Sequence, residues 1–199
     1  MVVKTFDQAQ QQLEQFRPSK KWYRRWARRS AVAVILREED HGLETLMIKR
    51  ADREGDPWSG HMAFPGGRAD ASDDNNLHTA RRETWEEIGL DTHAHTECVG
   101  RLSDRETHAL GGAYSMVVTP YIFTIDEVPD LNPNHEVAEV IWVPLGFLAD
   151  RDNRQTMQWQ RQQMTVDMPC YYFEEKRIWG LSLGMLDELV EVVRHKKAK

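Results

Sequence analysis

Apolar residues recur along this chain in two rhythms, and the switches between them mark out its elements. Residues 30–37 read Ser-Ala-Val-Ala-Val-Ile-Leu-Arg, a β-branched and aliphatic run of strand length with polar flanks. The run predicts a buried strand. A turn at Glu39, Asp40, His41 and Gly42 leads to a second strand over 45–49. Residues 60–64 are expected to run extended into Pro65-Gly66-Gly67. Further strands are expected at 97–102, at 113–125, where Val, Thr, Tyr and Phe are frequent, and at 137–143, stopped by Pro144.

Helical spacing governs three other segments: the polar stretch 5–16, the stretch 79–90, and the tail 181–195 with Leu183, Leu186, Leu189, Val190 and Val193 in step. No internal repeat or long linker divides the chain. The pattern predicts a mixed α/β domain over 30–199, preceded by an N-terminal helix and a basic, aromatic arm over 1–29.

The middle helix carries the chemistry. Leu77, Ala80, Thr84 and Ile88 share one stripe suited to docking on a sheet. Beside it stand Glu83, Glu86 and Glu87 at i, i+3 and i+4. At about 100° per residue these acids fan over roughly a third of the circumference, so convergent carboxylates are expected. Neighbouring carboxylates repel one another, and hard oxygen ligands in that number suit Mg²⁺ or Mn²⁺ rather than zinc. Asp73, Asp74, Asn75 and Asn76 are cap candidates at the start of the helix, and Gly89 stands where a left-handed C′ residue belongs. Arg82 is placed to grip one of the carboxylates with its guanidinium.

Composition narrows the surroundings. The chain has 199 residues, 29% charged and 40% hydrophobic, which is globular rather than disordered or fibrous. A net charge of −6 gives no general attraction to nucleic acid or acidic membranes. Cys98 and Cys170 form no Cys-x-x-Cys pair, so neither a disulfide framework nor a structural zinc site is expected. The N-terminus lacks an apolar signal core, and the longest aliphatic run, residues 31–36, is far too short to span a bilayer. A cytoplasmic location with no membrane partner is the expectation.

The run Gly66-Gly67, Asp70, Asp73, Arg82-Glu83, Glu86-Glu87, Gly89-Leu90 resembles the Nudix box. Counted back from Arg82, the generic box has Gly at position 68 and Glu at position 74, where this chain has Arg68 and Asp74. A loop one residue longer, with Gly67 leading and Asp73 or Asp74 as its acid, restores the match and resembles the coenzyme A pyrophosphatase branch. Arg50-Ala51, Gly60 and Phe64-Pro65-Gly66-Gly67 are similar to that branch too. Gly55 stands where the branch has a second Arg, the spacing is one residue longer, and Arg53 is the stand-in.

The resemblance implies a helix-sheet-helix sandwich with a mixed β-sheet. It also implies a Mg²⁺- or Mn²⁺-dependent pyrophosphatase acting on a nucleoside diphosphate linked to another moiety, with coenzyme A or its derivatives first. ADP-ribose, dinucleoside polyphosphates, damaged nucleotides and RNA caps are the alternatives, as is a non-catalytic binder of nucleotides or RNA. The expected partner is a small-molecule nucleotide; a homodimer is left open.

In that frame Glu83, Glu86 and Glu87 are the metal ligands, and Glu86, Glu87, Arg82 and Glu136 the catalytic set. Arg50, Gly66, Gly67 and Arg68 are expected to bind phosphate. The general base is Glu87, or an acid from a later segment, Glu136 or Glu139; a solvated acid ahead of a strand is the plain alternative for each of the latter. Trp58 and His61 stand where they could face the substrate base, although packing explains an aromatic there equally well. Residues 104–112, with His108, form a polar loop long enough for a lid. The Gln-rich stretch 155–163 carries no motif.

One rival signal remains. Lys20, Lys21, Arg24, Arg25, Arg28 and Arg29 are interleaved with Trp22, Tyr23 and Trp26, as in an RNA-binding arm. As a helix, the segment would gather its cations in two rows. The preferred reading is an entry segment whose tryptophans pin it to the domain while its arginines pair with acidic surface. Contacts to a phosphate of the enzyme's own substrate are the middle case.

Overall fold

The computed structural model describes residues 2, 4–55, 58–107, 116–161 and 164–194. His108 and the rest of the expected lid beyond Thr107 lie outside these residues, as do 113–115 of the expected long strand. Among the described residues no helix is long and apolar enough to cross a membrane.

The chain runs α1 (Phe6–Gln15), β1 (Arg28–Glu39), β2 (Gly42–Arg50), β3 (Met62–Ala63), β4 (Gly66–Arg68) and α2 (Asn76–Ile88). It continues through α3 (Thr92–His95), β5 (Glu97–Arg101), β6 (Arg105–Thr107), β7 (Met116–Thr124), β8 (Val137–Pro144) and α4 (Leu145–Ala149). It closes with β9 (Arg154–Arg161), β10 (Met164–Phe173), β11 (Lys176–Trp179) and α5 (Gly180–Val192).

β1 is the organising strand. It pairs antiparallel with β2 and β4 but parallel with β7 from Arg28↔Met116 to Leu36↔Thr124, so the main sheet is mixed. Successive side chains of a strand point to opposite faces, and β1 is apolar on both. Ala33 and Ile35 pack in one cluster with Ile88 of α2, while Val34 and Leu36 pack in another with Leu186 and Leu189 of α5. A strand buried on both faces needs cover on both, which is why this sequence forms the expected helix-sheet-helix sandwich.

The basic arm departs from its expected anchoring, and one sheet was not expected at all. Residues 20–29 do not form a helix: turns occupy 22–26, and β1 absorbs Arg28 and Arg29 through its pairing with β7. The tryptophans do not pin the segment either. Trp22 is 81% and Trp26 62% exposed, with their rings edge to face 6.0 Å apart. Polar contacts do the anchoring instead. The buried Asp104 accepts from the Lys21 amide at 2.9 Å and lies 3.5 Å from Arg24, and Lys21 lies 3.7 Å from Glu106. The expected pairing of cations with acidic groups thus holds.

The other departure is an omission. Residues 154–179 build a separate three-stranded sheet in the order β11-β10-β9. Its strands are largely solvated, so little apolar alternation marks them.

Candidate active site

The site begins with how α2 is terminated. Asn75, one of the four cap candidates, accepts a hydrogen bond from the His78 amide, satisfying an otherwise orphaned donor. At the other end Gly89 takes φ 69°, and its amide donates to the Trp85 carbonyl. The next carbonyls are claimed by a distant loop. The Asn132 amide donates to the Ile88 carbonyl, the Asn134 amide to the Glu87 carbonyl, and Asn134 Nδ2 to the Glu86 carbonyl, each at 2.8 Å. Asn134 Oδ1 in turn accepts from the Glu136 amide at 2.7 Å. The loop that caps the helix therefore also carries Glu136 to it.

Arg82 is the hub. Its Nε and Nη2 grip both oxygens of Asp73 at 3.0 Å, and Nη2 also reaches Glu83 Oε1 and the Arg68 carbonyl, each at 3.0 Å. Nη1 binds Glu86 Oε2 at 3.0 Å. Asp73, further held by the Thr79 hydroxyl and the Asp70 amide, is buried, whereas Asp74 is exposed. The two candidates for the loop acid are thereby separated in favour of Asp73. Arg82 holds the Asp73 carboxyl well below the usual carboxylate range, and Asp73 raises the guanidinium in return.

Glu83 and Glu87, one turn apart, lie against consecutive glycines of β4. A Cβ built on Gly67 would come 2.4 Å from Glu83 Cδ, so only glycine leaves room for that carboxylate. Glu87 Oε2 accepts from the Gly66 amide at 2.8 Å. Gly66 has φ 150°, and a Cβ there would meet the Ala31 carbonyl at 2.3 Å. Burial pushes the Glu87 carboxyl up to about 8, with Glu83 and Glu136 adding repulsion while the Gly66 amide and Arg50 oppose it. Burial also raises Glu83, against the pull of Arg82.

Several expectations are sharpened or corrected by this geometry. The three glutamates do not converge as a trio: Glu83 and Glu86 turn to Arg82, while Glu87 turns to Gly66. Among the described residues no group of three or more His, Cys, Asp or Glu side chains is gathered around one point. Arg82 supplies the positive charge that the sequence reading assigned to a cation alone. Half-buried Glu83 and buried Glu87 both keep raised carboxyls, and that is the condition a hard divalent cation relieves. Glu86 keeps its side chain 51% exposed beside them while bonded to Arg82.

The Gly66 amide is spent on Glu87, so it does not offer itself to phosphate. Gly67 serves chiefly as space for Glu83. The Arg68 side chain is exposed at the rim, and the charge of Arg50 reaches Glu87. Glu136 acts on Glu87, whereas Glu139 is taken by Lys176 at 3.1 Å. Arg53 Nη1 lies 3.9 Å from Glu136 Oε1. His61 packs edge to face on Trp179, 5.2 Å between centroids, and Trp58 is exposed.

Two residues that matter here went unread in the sequence: Asn134, the bridge between helix end and Glu136, and Thr79, which steadies Asp73. An Asn-rich loop before a strand was the only signal for the first. For the second, a threonine six residues after an acid carried none.

The NUDIX domain family model matches residues 27–165, more than half of the chain. The chain belongs to the Nudix family of hydrolases, enzymes that generally work with a divalent metal ion. An uncharacterized protein of Schizosaccharomyces pombe is 37% identical over 106 residues, covering 52% of this chain and 32% of that relative. Nudix hydrolase 15, mitochondrial, of Arabidopsis thaliana is 30% identical over 169 residues, covering 80% of this chain and 56% of the relative. The chain thus spans about a third and about half of these two relatives' lengths. The crystal structure of a NUDIX hydrolase from Alicyclobacillus acidocaldarius has a TM-score of 0.54 at 18% identity over 83% of this chain and 91% of that one, a likeness of fold.

Proposed function

We propose that this protein is a Mg²⁺- or Mn²⁺-dependent pyrophosphatase that splits a nucleoside diphosphate joined to a second moiety, with coenzyme A and its derivatives as the first substrates. The observation that carries the chemistry is the acid pair of half-buried Glu83 and buried Glu87, set against Gly67 and Gly66 with both carboxyls raised. Glu83, Glu87 and, on leaving Arg82, Glu86 would hold the cation. Bound there, it would neutralise phosphate oxygens and lower the pKa of a coordinated water.

The protein's own groups do the rest. Arg82 fixes Glu83 and Asp73 so that the helix and its preceding loop keep one geometry. Arg50 and the exposed Arg68 are the cations that would face the phosphate chain. Water attacks one phosphorus, the P–O anhydride bond breaks toward the other phosphate, and the water proton passes to Glu136. Two phosphate monoesters result. Glu136 is half-exposed, lies beside Glu87 and is tied to the helix end by Asn134, as a proton acceptor at this site must be.

The substrate choice is supported by the longer loop from Gly67 to the helix, with Asp73 as its acid, and by Arg50-Ala51 ahead of Phe64-Pro65-Gly66-Gly67. Arg53 at the edge of Glu136 is consistent with its role as the stand-in cation. ADP-ribose, dinucleoside polyphosphates, damaged nucleotides and RNA caps would use the same residues and form the second reading. A panel of these compounds with Mg²⁺ and with Mn²⁺ decides between them. Preferred cleavage of coenzyme A into 3′,5′-ADP and 4′-phosphopantetheine is expected; a clear preference for any other member would move the assignment there.

A further inference from the structure

We infer that the cavity between the end of β2 and the β10–β11 hairpin is an anion subsite for a phosphate monoester carried by the nucleotide in addition to the pyrophosphate that is cut. The inference rests on the hydrolase reading for its link to turnover, though not for binding itself. The cavity measures about 330 Å³, the size range of small-ligand sites. Its charged lining is Lys49, Lys176 and Arg177 against one acid, Glu175. Lys176 is already shared with Glu139 at 3.1 Å and Glu174 at 3.4 Å. Among the described residues, the positive charge outside those ion pairs therefore rests on Lys49 and Arg177, with Glu175 the one acid in the lining.

Arg177 is held rather than draped. The Arg177 guanidinium lies 5.5 Å from the Trp179 ring centre, and that ring is fixed by His61 at 5.2 Å and Trp159 at 5.9 Å. Gly60 turns the chain at φ 68°, and a Cβ there would stand 3.0 Å from Asp52 Oδ1. That turn delivers Ser59 and His61 to the cavity wall. Across the cavity, the hairpin turns on Glu174 and Glu175 at φ 47° and 65°, a conformation that residues other than Gly and Asn adopt reluctantly. A preset guanidinium on an aromatic wall suits a dianionic monoester, whose recognition gains from preorganisation.

The cavity is linked to the acid pair through the loop that follows β2. On β2, Lys49 adjoins Arg50, whose amide donates to the His61 carbonyl at 3.0 Å and whose charge acts on Glu87. The Arg53 amide donates to Ser59 Oγ at 2.9 Å, while the Arg53 guanidinium lies 3.9 Å from Glu136. The loop carrying these residues thus has the acid pair on one side and the cavity on the other. A nucleotide whose pyrophosphate lies over Glu83 and Glu87 could set a second phosphate here.

Two measurements test this. In the first, kcat and KM are measured for matched pairs that differ by one monoester: coenzyme A against dephospho-coenzyme A, and NADPH against NADH. The native protein should favour the phosphorylated member through KM. Lys49→Gln and Arg177→Gln should each lower that preference about tenfold, as expected for a charge-assisted contact. Equal treatment of both members by the native protein, or equal loss on both in the variants, would overturn the inference.

In the second, adenosine 3′,5′-bisphosphate and adenosine 5′-monophosphate are titrated calorimetrically without metal, each variant being checked for native melting. Tighter binding of the bisphosphate, lost in Lys49→Gln, would sustain the subsite even if no pyrophosphate were hydrolysed. Indistinguishable binding would sink it. If one variant melts early, the other decides.

Discussion

Helices α2 and α5 cover opposite faces of one sheet and follow opposite rules. The buried residues of α5 are Leu183, Met185, Leu186, Leu189, Val190 and Val192, all apolar. Those of α2 include Asn76, Thr79, Thr84 and Glu87. Apolar burial is non-directional, so α5 needs only shape and volume from its neighbours. Every buried polar group of α2 needs a partner at the right distance, because an unmet one is costly. The partners are specific: Asn76 to Thr119, Thr79 to Asp73, the Thr84 hydroxyl to the Ala80 carbonyl, Glu87 to the Gly66 amide. One helix secures the fold; the other spends stability on holding acids where chemistry can use them.

Substitutions on the two helices should separate these roles. The largest effect is expected from Glu87→Gln: turnover with Mg²⁺ or Mn²⁺ should fall by about 10³-fold or more, the scale of losing a group that acts in the transition state. Its metal-free melting temperature should not drop. Activity within tenfold of native would remove Glu87 from the metal site.

On the other face, Leu186→Ala should cost roughly 2–5 kcal/mol in urea unfolding, the usual penalty for truncating a buried leucine. Its kcat/KM, measured well below the melting point, should be close to native. A large kcat loss there would show that α5 is no mere scaffold.

Gly67→Ala tests the contact between strand and helix. A methyl 2.4 Å from Glu83 Cδ must displace that carboxylate, so Mn²⁺ affinity by calorimetry should fall more than stability does. Undiminished affinity would remove Glu83 from the ligand set.

The acids also give the metal-free protein a distinctive pH dependence. Glu87 titrates near 8 in the folded state, above its ordinary value of 4.5, so folding favours its proton. Stability from this group is complete below about 4.5 and is lost as pH rises through 8. Asp73 has the opposite sign: its carboxyl is depressed, so its contribution is present at neutral pH and is lost in acid. Glu87→Gln should flatten the alkaline limb of a melting-temperature profile and leave the acid limb. An unaltered alkaline limb would mean that Glu87 is not the buried acid responsible. The smallest effect is expected from Trp22→Ala, within about 0.5 kcal/mol, because an exposed ring has little packing to lose.

How much of this was legible depended on how each feature is encoded. β1, β2, the Gly66-Gly67 turn and α2 with its Gly89 stop were readable because local pattern and tertiary role coincide there. The sheet of β9, β10 and β11 was not: between Gln155 and Gln160 only Met157 and Trp159 turn inward among exposed polar residues, too weak an alternation to mark a strand. Nor could spacing along a helix say which acid Arg82 would choose. It bridges i+1 and i+4 as expected, but its strongest grip is on Asp73, nine residues back, in a loop whose path only the fold sets. The exposure of Trp22 and Trp26 was likewise hidden, since hydrophobicity alone predicts burial and the anchor proved to be the buried charge of Asp104.

Gly89 meets the backbone of Asn132 at close quarters, where an added methyl would approach its amide nitrogen to 3.3 Å. The spacing of Glu136 from Glu87 is consequently a local dimension, ruled by three successive carbonyls of a helix terminus. Changes in α3 or at the β5 edge of the sheet can reshape that side of the molecule without altering this spacing. Reactivity and outline are thereby free to vary independently.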